Sequence, residues 1–178
     1  IHALSVFWRD IPISDKAPST ERRTPVHWRV VSALALGADR IVAKSVLARS
    51  DAELKVIVPL ELDVYRKDFS TEADGNEFDR LIDQAGGPLE VALPPKFCTL
   101  PREGYRWAGE RVVDGCEILI AVWDKKKTDG VGTGATLRYA LEEGTKVIWI
   151  DANSPKDSAA WLRLPAEGAE WDGNLSSL

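Results

Sequence analysis

The run Glu117-Ile118-Leu119-Ile120-Ala121-Val122-Trp123-Asp124 decides the fold, together with three stretches beyond it: Gly130-Val131-Gly132-Thr133-Gly134, then Ala135–Glu143, then Lys146-Val147-Ile148-Trp149-Ile150. The first run is short and apolar without clean alternation, which is the pattern of a strand buried on both faces. Ala135–Glu143 reads as a helix that stops at Gly144, a residue suited to ending one. Lys146–Ile150 is a second apolar strand. Strand, glycine loop, helix and strand in this order imply a parallel βαβ unit.

Working outward, Arg29–Ala33 and Leu54–Pro59 are further apolar, β-rich runs, and Leu4–Trp8 and Leu89–Leu93 are weaker ones. Helical spacing recurs between them. Asp39–Ala48 places Ile41, Val42, Ser45 and Val46 around one face, Asn76–Ala85 uses Phe78, Leu81 and Ile82, and Tyr105–Val113 uses Tyr105, Ala108, Gly109, Val112 and Val113. The alternation predicts an α/β fold with three α/β/α layers, a Rossmann-like doubly wound parallel sheet of five to six strands. In the expected order 3-2-1-4-5, Leu4–Trp8 is central, flanked by Arg29–Ala33 and Glu117–Trp123. Residues 1–178 form one domain; 1–25 is an irregular or incomplete start, and 151–178 a peripheral tail.

Composition narrows the function. Of 178 residues 44% are apolar and 29% charged, which is ordinary globular material, and the net charge of −5 disfavours nucleic acid as the main partner. Cys98 and Cys116 lie in dissimilar settings without a disulfide pattern, and His2 and His27 form no metal-ligand cluster. No apolar run reaches the ~18 residues of a membrane span, and a signal-peptide order is lacking, so a cytoplasmic location is expected.

In open parallel sheets ligands sit beyond the carboxyl ends of the strands. Two strand exits here have unusual composition. Ser32-Ala33-Leu34-Ala35-Leu36-Gly37-Ala38-Asp39 combines small residues with a helix start, whose free N–H groups can face a ligand. Asp39 either caps that helix or takes a ribose hydroxyl; tight packing of a strand-to-helix joint is the plain alternative. The second exit runs from Asp124 through Gly130, Gly132, Thr133 and Gly134 to Thr136 and reads as a phosphate cradle that depends on its glycines for binding rather than folding, with a glycine-rich hairpin of no function as the plain alternative. It lacks the Gly-Lys-Ser/Thr of a Walker loop and comes too late for the dinucleotide fingerprint. Lys125-Lys126-Lys127 reads as a solvated loop tip, and Asp124 as the stronger functional candidate. Pro59 and Arg9, each at a strand end, complete the expected lining, with Arg9 as the cation for a phosphate. Tyr105 and Trp107 are either core or a stacking surface for a base. No metal site and no catalytic residue is assigned.

The stretch Ser32–Asp39 resembles the Ser-Gly-Leu-Ala-x-Gly-Ile-Asp loop of the DNA-processing protein A family. Gly115–Asp124 with Gly132-Thr133-Gly134 is similar to the Lonely Guy cytokinin phosphoribohydrolases and the nucleoside deoxyribosyltransferases. Arg9-Asp10 is similar to a Gly-His-Arg-Asp turn in related sequences, with Phe7-Trp8 standing for Gly-His. Together these loops resemble the SLOG superfamily, Rossmann-like domains that sense or process nucleotide derivatives. The resemblance implies a nucleotide or ADP-ribose-like ligand, a tendency to dimerise and an associated effector in bacterial signalling or defence. It also implies a carboxylate where Thr136 stands, and Leu137-Arg138-Tyr139 supplies none. Without that acid an N-glycosidase lacks its main chemical group, so a non-catalytic sensor is expected, ahead of an N-glycosidase using Asp124 or Asp39 and of a single-stranded DNA-binding domain.

Overall fold

The structure, a computed structural model, describes residues 28–49, 52–86, 89–92, 101–126, 130–156 and 159–162. Its first half runs β1 (Trp28–Ser32), α1 (Ala38–Leu47), β2 (Ala52–Val58), α2 (Leu62–Tyr65), a 3-10 turn (Arg66–Asp68), α3 (Glu72–Ala85) and β3 (Leu89–Val91). The second half runs α4 (Pro101–Asp114), β4 (Ile118–Trp123), α5 (Thr133–Glu142), β5 (Lys146–Asp151) and β6 (Ala160–Leu162).

Among the described residues the strands form two three-stranded sheets, ordered β1-β2-β3 and β4-β5-β6. The first sheet is parallel throughout, with Val30 opposite Leu54 and Ile57 opposite Glu90. In the second, β4 and β5 are parallel and β6 is antiparallel, with Trp149 opposite Ala160. The mixed α/β class is as the alternation of strands and helices dictates. One sheet of five to six parallel strands is not what the described residues form. The ladders of β1 and β4 do not meet, and the segment expected between them, Leu4–Trp8, lies outside the described residues. The last strand, β6, arises inside the stretch expected to be a peripheral tail and returns along β5 as an edge, which a reversal after Asp151 permits.

Alternation along β2 explains how its sheet is covered. Leu54, Val56 and Val58 are buried with Leu34, Ala43, Phe78 and Leu81, so α1 and α3 cover one face. Ile57 points the other way and packs with Ala92 and Ala108, with Val31 and Trp107 against them. A strand sandwiched in this way has no polar face to show, which is why its sequence lacks a period of two. On β4, Leu119, Ala121 and Trp123 alternate onto Leu137, Ala140 and Leu141 of α5 and Val113 of α4. Helix α4 therefore belongs to both halves.

Local chemistry sets the helix ends. Thr71 caps α3 by accepting from the Asp74 N–H at 3.1 Å, and Gly86 closes it at φ 53°. Gly132, the N-cap of α5, takes φ 84°, where an L-residue would be strained. Among the described residues no helix is long and apolar enough to cross a membrane.

Candidate functional site at the strand ends

The turn leaving β1 is built around a carboxylate. Leu34 takes a left-handed conformation (φ 57°) and is fully buried, which bends the chain back toward α1. The Ser32 hydroxyl accepts from the Leu34 N–H at 3.0 Å and donates to Asp39 Oδ2 at 3.2 Å. The Ala35 N–H donates to the same oxygen at 3.4 Å, and the Ala33 N–H also hydrogen-bonds this carboxylate. Burial raises the Asp39 carboxyl above its usual range, against the lowering effect of these donors and of Arg40. The loop's own donors thus converge on Asp39. Beside them Leu36 and Gly37 are exposed, and a Cβ at Gly37 would meet nothing within 4 Å, so this side of the turn is open.

Arg40 locks the turn from behind. It is 2% exposed; its Nε donates to the Leu34 carbonyl at 3.0 Å and its Nη1 to the Asp74 carbonyl at 2.8 Å. Nη1 also pairs with Glu77 at 3.1 Å, and the guanidinium lies 4.3 Å above the Phe69 ring. Nη2 has no hydrogen-bond partner among the described residues, and the aromatic face beneath the guanidinium offsets part of that cost. Lys44 and then Arg40 hold the Glu77 carboxyl below its usual value.

Tyr65 extends the cluster toward α4. Its ring packs edge-on against Phe69, Phe78 and Tyr105, with the Tyr105 centroid 6.3 Å away. Burial, and then the negative charge of Asp39, push its hydroxyl well above the ordinary tyrosine range. Tyr105 donates to Asp68, and burial followed by that carboxylate raises it in the same direction. Tyr105 is therefore committed to packing and to Asp68 rather than displayed for stacking on a base. Trp107 packs beside Ile57 and Ala108, another core role.

The exit from β4 is organised differently. Asp124 accepts from the Lys126 N–H at 3.1 Å and pairs with its ammonium at 2.8 Å, which holds the carboxyl below its usual value. Lys125 takes φ 63° and places its ammonium 4.5 Å from the Trp149 ring centroid. The Trp123 indole N–H donates to the Lys126 carbonyl at 3.1 Å. Asp124 thus shapes the loop. Gly130 (φ 80°) and Gly132 (φ 84°) are exposed, and Thr133 is exposed at the start of α5. Gly134 departs from its expected role. It is buried, and a Cβ there would stand 3.2 Å from the Trp123 ring, so it serves helix-to-strand packing rather than a cradle alone. Thr136 is turned to α4, its hydroxyl donating to the Gly132 carbonyl at 3.2 Å and lying within 3.0 Å of where a Gly109 Cβ would be.

Helix α4 relates the two exits. At its start, Gly104 sits against the Pro59 carbonyl and Leu60, just beyond β2, and Arg102 approaches Gly130, with 3.6 Å from its Nη2 to a Cβ built there. Further along, Gly109 faces Thr136, and Tyr139 donates to Asp114 at 3.0 Å, so α4 and α5 run side by side in the same direction. The turn after β1, through Tyr65 and Tyr105, and the loop after β4, through Arg102, lie at the same end of α4. No family model and no curated protein matches this chain.

Of the residues expected to line a site, Ser32, Ala33, Leu34, Gly37 and Asp39 form one turn, and Asp124, Gly130, Gly132, Thr133, Gly134 and Thr136 belong to the other exit. Pro59 is buried against α4. Arg9 lies outside the described residues. Sequence reasoning missed Arg40, Tyr65 and Arg102. Arg102 makes no ion pair with another described residue and approaches Gly130 of the glycine loop; Pro101 at a helix start was the available signal. A shallow groove of about 480 Å³, lined by Asp63, Arg66, Lys67 and Phe69 among others, lies beside the start of α3 rather than at these exits. Its charges are of both signs, and Arg66 is paired with Asp79 at 3.0 Å.

Proposed function

We propose that the chain is a non-catalytic sensor of the SLOG type, which holds a nucleotide or ADP-ribose-like molecule at the carboxyl ends of β1, β2 and β4. The observation that carries this reading is the loop after β4, where Gly130 and Gly132 at positive φ lead into α5 beside Arg102. Glycines in this conformation let backbone N–H groups approach a phosphate, and a guanidinium offers a fork to two of its oxygens. The two sheets are taken as halves of one doubly wound Rossmann-like arrangement, which the packing of α4 on β2 and on α5 supports. Dimerisation and an associated effector belong to the same reading.

The absence of catalysis rests on chemistry. Thr136 stands where related phosphoribohydrolases carry an acid, and it packs on α4. Asp124 is ion-paired and held in its charged form, which is the wrong state for a general acid. Asp39 is tied to its own turn through Oδ2, which accepts from Ser32 and Ala35. Calorimetry with adenosine monophosphate and ADP-ribose tests the reading. Binding to the intact protein and its loss by about tenfold in Arg102→Ala, without release of free base, is expected. Absence of binding to both nucleotides, or turnover near ~1 per second, refutes it.

A further inference from the structure

The donors that leave β1 are not free to hold an anion. The Ala33 and Ala35 N–H groups and the Ser32 hydroxyl all converge on Asp39, and the Leu34 N–H is taken by Ser32. A phosphate arriving here would find its donors engaged and a carboxylate in front of it. A carboxylate offers about four acceptor positions, so Asp39 retains capacity beyond the donors the loop supplies. The same turn carries Gly37, where a Cβ would meet nothing within 4 Å. Two side chains reinforce this polarity. Arg40, 2% exposed, has its Nε on the Leu34 carbonyl of the same turn while Nη2 lacks a partner among the described residues, and the nearby Tyr65 hydroxyl stays protonated. An acceptor that remains open beside donors that are neutral or buried suits a group that both gives and takes hydrogen bonds.

We infer that Asp39 is a specificity-determining residue that selects a hydroxyl-bearing group, the vicinal diol of a ribose, at the β1 turn and excludes phosphate from it. Resting on the nucleotide-binding reading above, the inference fixes the ligand's direction. The ribose hydroxyls lie at Ser32–Asp39, and the phosphate lies at Gly130–Thr133 beside Arg102. In this arrangement Arg40 holds the turn's bend at Leu34 and so sets where the carboxylate stands.

The test compares ligands on the unaltered protein, so no variant has to fold. Calorimetry is run with adenosine monophosphate and its 2′,3′-dideoxy analogue, and amide shifts of Ala33, Ala35 and Gly132 are followed while inorganic phosphate is added. The dideoxy compound is expected to bind about tenfold more weakly or worse, because a hydrogen bond to a charged group is lost. Phosphate is expected to move the Gly132 amide and leave Ala33 and Ala35 unmoved. Asp39→Asn should then erase most of the discrimination between the two nucleotides while phosphate still reaches Gly132. Equal affinity for the two nucleotides, or phosphate shifts centred on Ala33 and Ala35, overturns the assignment of Asp39 but leaves nucleotide binding standing. Failure of both nucleotides to bind at all removes the nucleotide-binding reading and this inference with it.

Discussion

Replacing Gly109 by alanine puts a number on the contact between α4 and α5. A Cβ at this position would lie within 3.0 Å of the Thr136 hydroxyl oxygen, closer than real Cβ atoms come, while the Thr136 Cβ stands at 3.4 Å, an ordinary contact. Thr136 cannot swing aside cheaply. It is β-branched, hence stiff at χ1, its hydroxyl is bound to the Gly132 carbonyl, and its methyl is 3.5 Å from the same point. Overpacking of this kind costs about 1–3 kcal/mol, against about 1 kcal/mol gained when alanine replaces glycine in a helix. In the wild-type background Gly109→Ala should therefore be destabilising by up to about 2 kcal/mol. With Thr136→Ala already in place the offending oxygen is gone, and the same change should be neutral or stabilising by up to about 1 kcal/mol. Urea denaturation of the four proteins in the cycle gives the coupling, expected at about 1–3 kcal/mol. Equal effects of Gly109→Ala in both backgrounds would refute the placement of Thr136 against α4.

Two further outcomes concern the β1 turn. Arg40→Lys should destabilise the protein by about 2 kcal/mol or more, because an ammonium cannot serve the Leu34 and Asp74 carbonyls and Glu77 together; thermal or urea unfolding checks this, and a loss under ~0.5 kcal/mol would contradict it. The raised pKa of Asp39 makes its contribution to stability fully present below the unfolded value near 3.8 and lost as pH rises through the folded value. Wild type should therefore gain stability relative to Asp39→Asn as pH falls from neutrality into the acid range, measured as the difference between their unfolding free energies, and a pH-independent difference would show that burial does not dominate at Asp39.

Much of the secondary structure was legible because each element carries a local signal. Leu54, Val56, Ile57 and Val58 are apolar on nearly consecutive positions since α1 and α3 cover one face of β2 and α4 the other. Gly144 marked the end of α5, and it takes positive φ there. What failed was long-range. Pairing among strands depends on contacts that no short window encodes, so the single sheet expected from alternation appears among the described residues as two. The segment Leu62–Asp68 carries no helical period over its few residues, and α2 with its 3-10 turn went unread, taking Tyr65 with it. Arg40 sits in a helix whose pattern assigns charged residues to solvent, and only its pairing with Leu34, Asp74 and Glu77 in the fold explains its burial. At the site, the glycine loop and Asp39 were readable by composition. The engagement of the loop's donors by Asp39, and the packing of Gly134 on Trp123, depend on backbone geometry and were not.

The proposed function places one nucleotide site across the two strand exits at the start of α4. Amide chemical-shift mapping during titration with ADP-ribose tests it most directly. Saturable shifts are expected at Gly130, Gly132 and Thr133 together with Ala35, Leu36 and Gly37, all tracking a single affinity. Shifts confined to one exit, two different affinities, or none at either exit would contradict it.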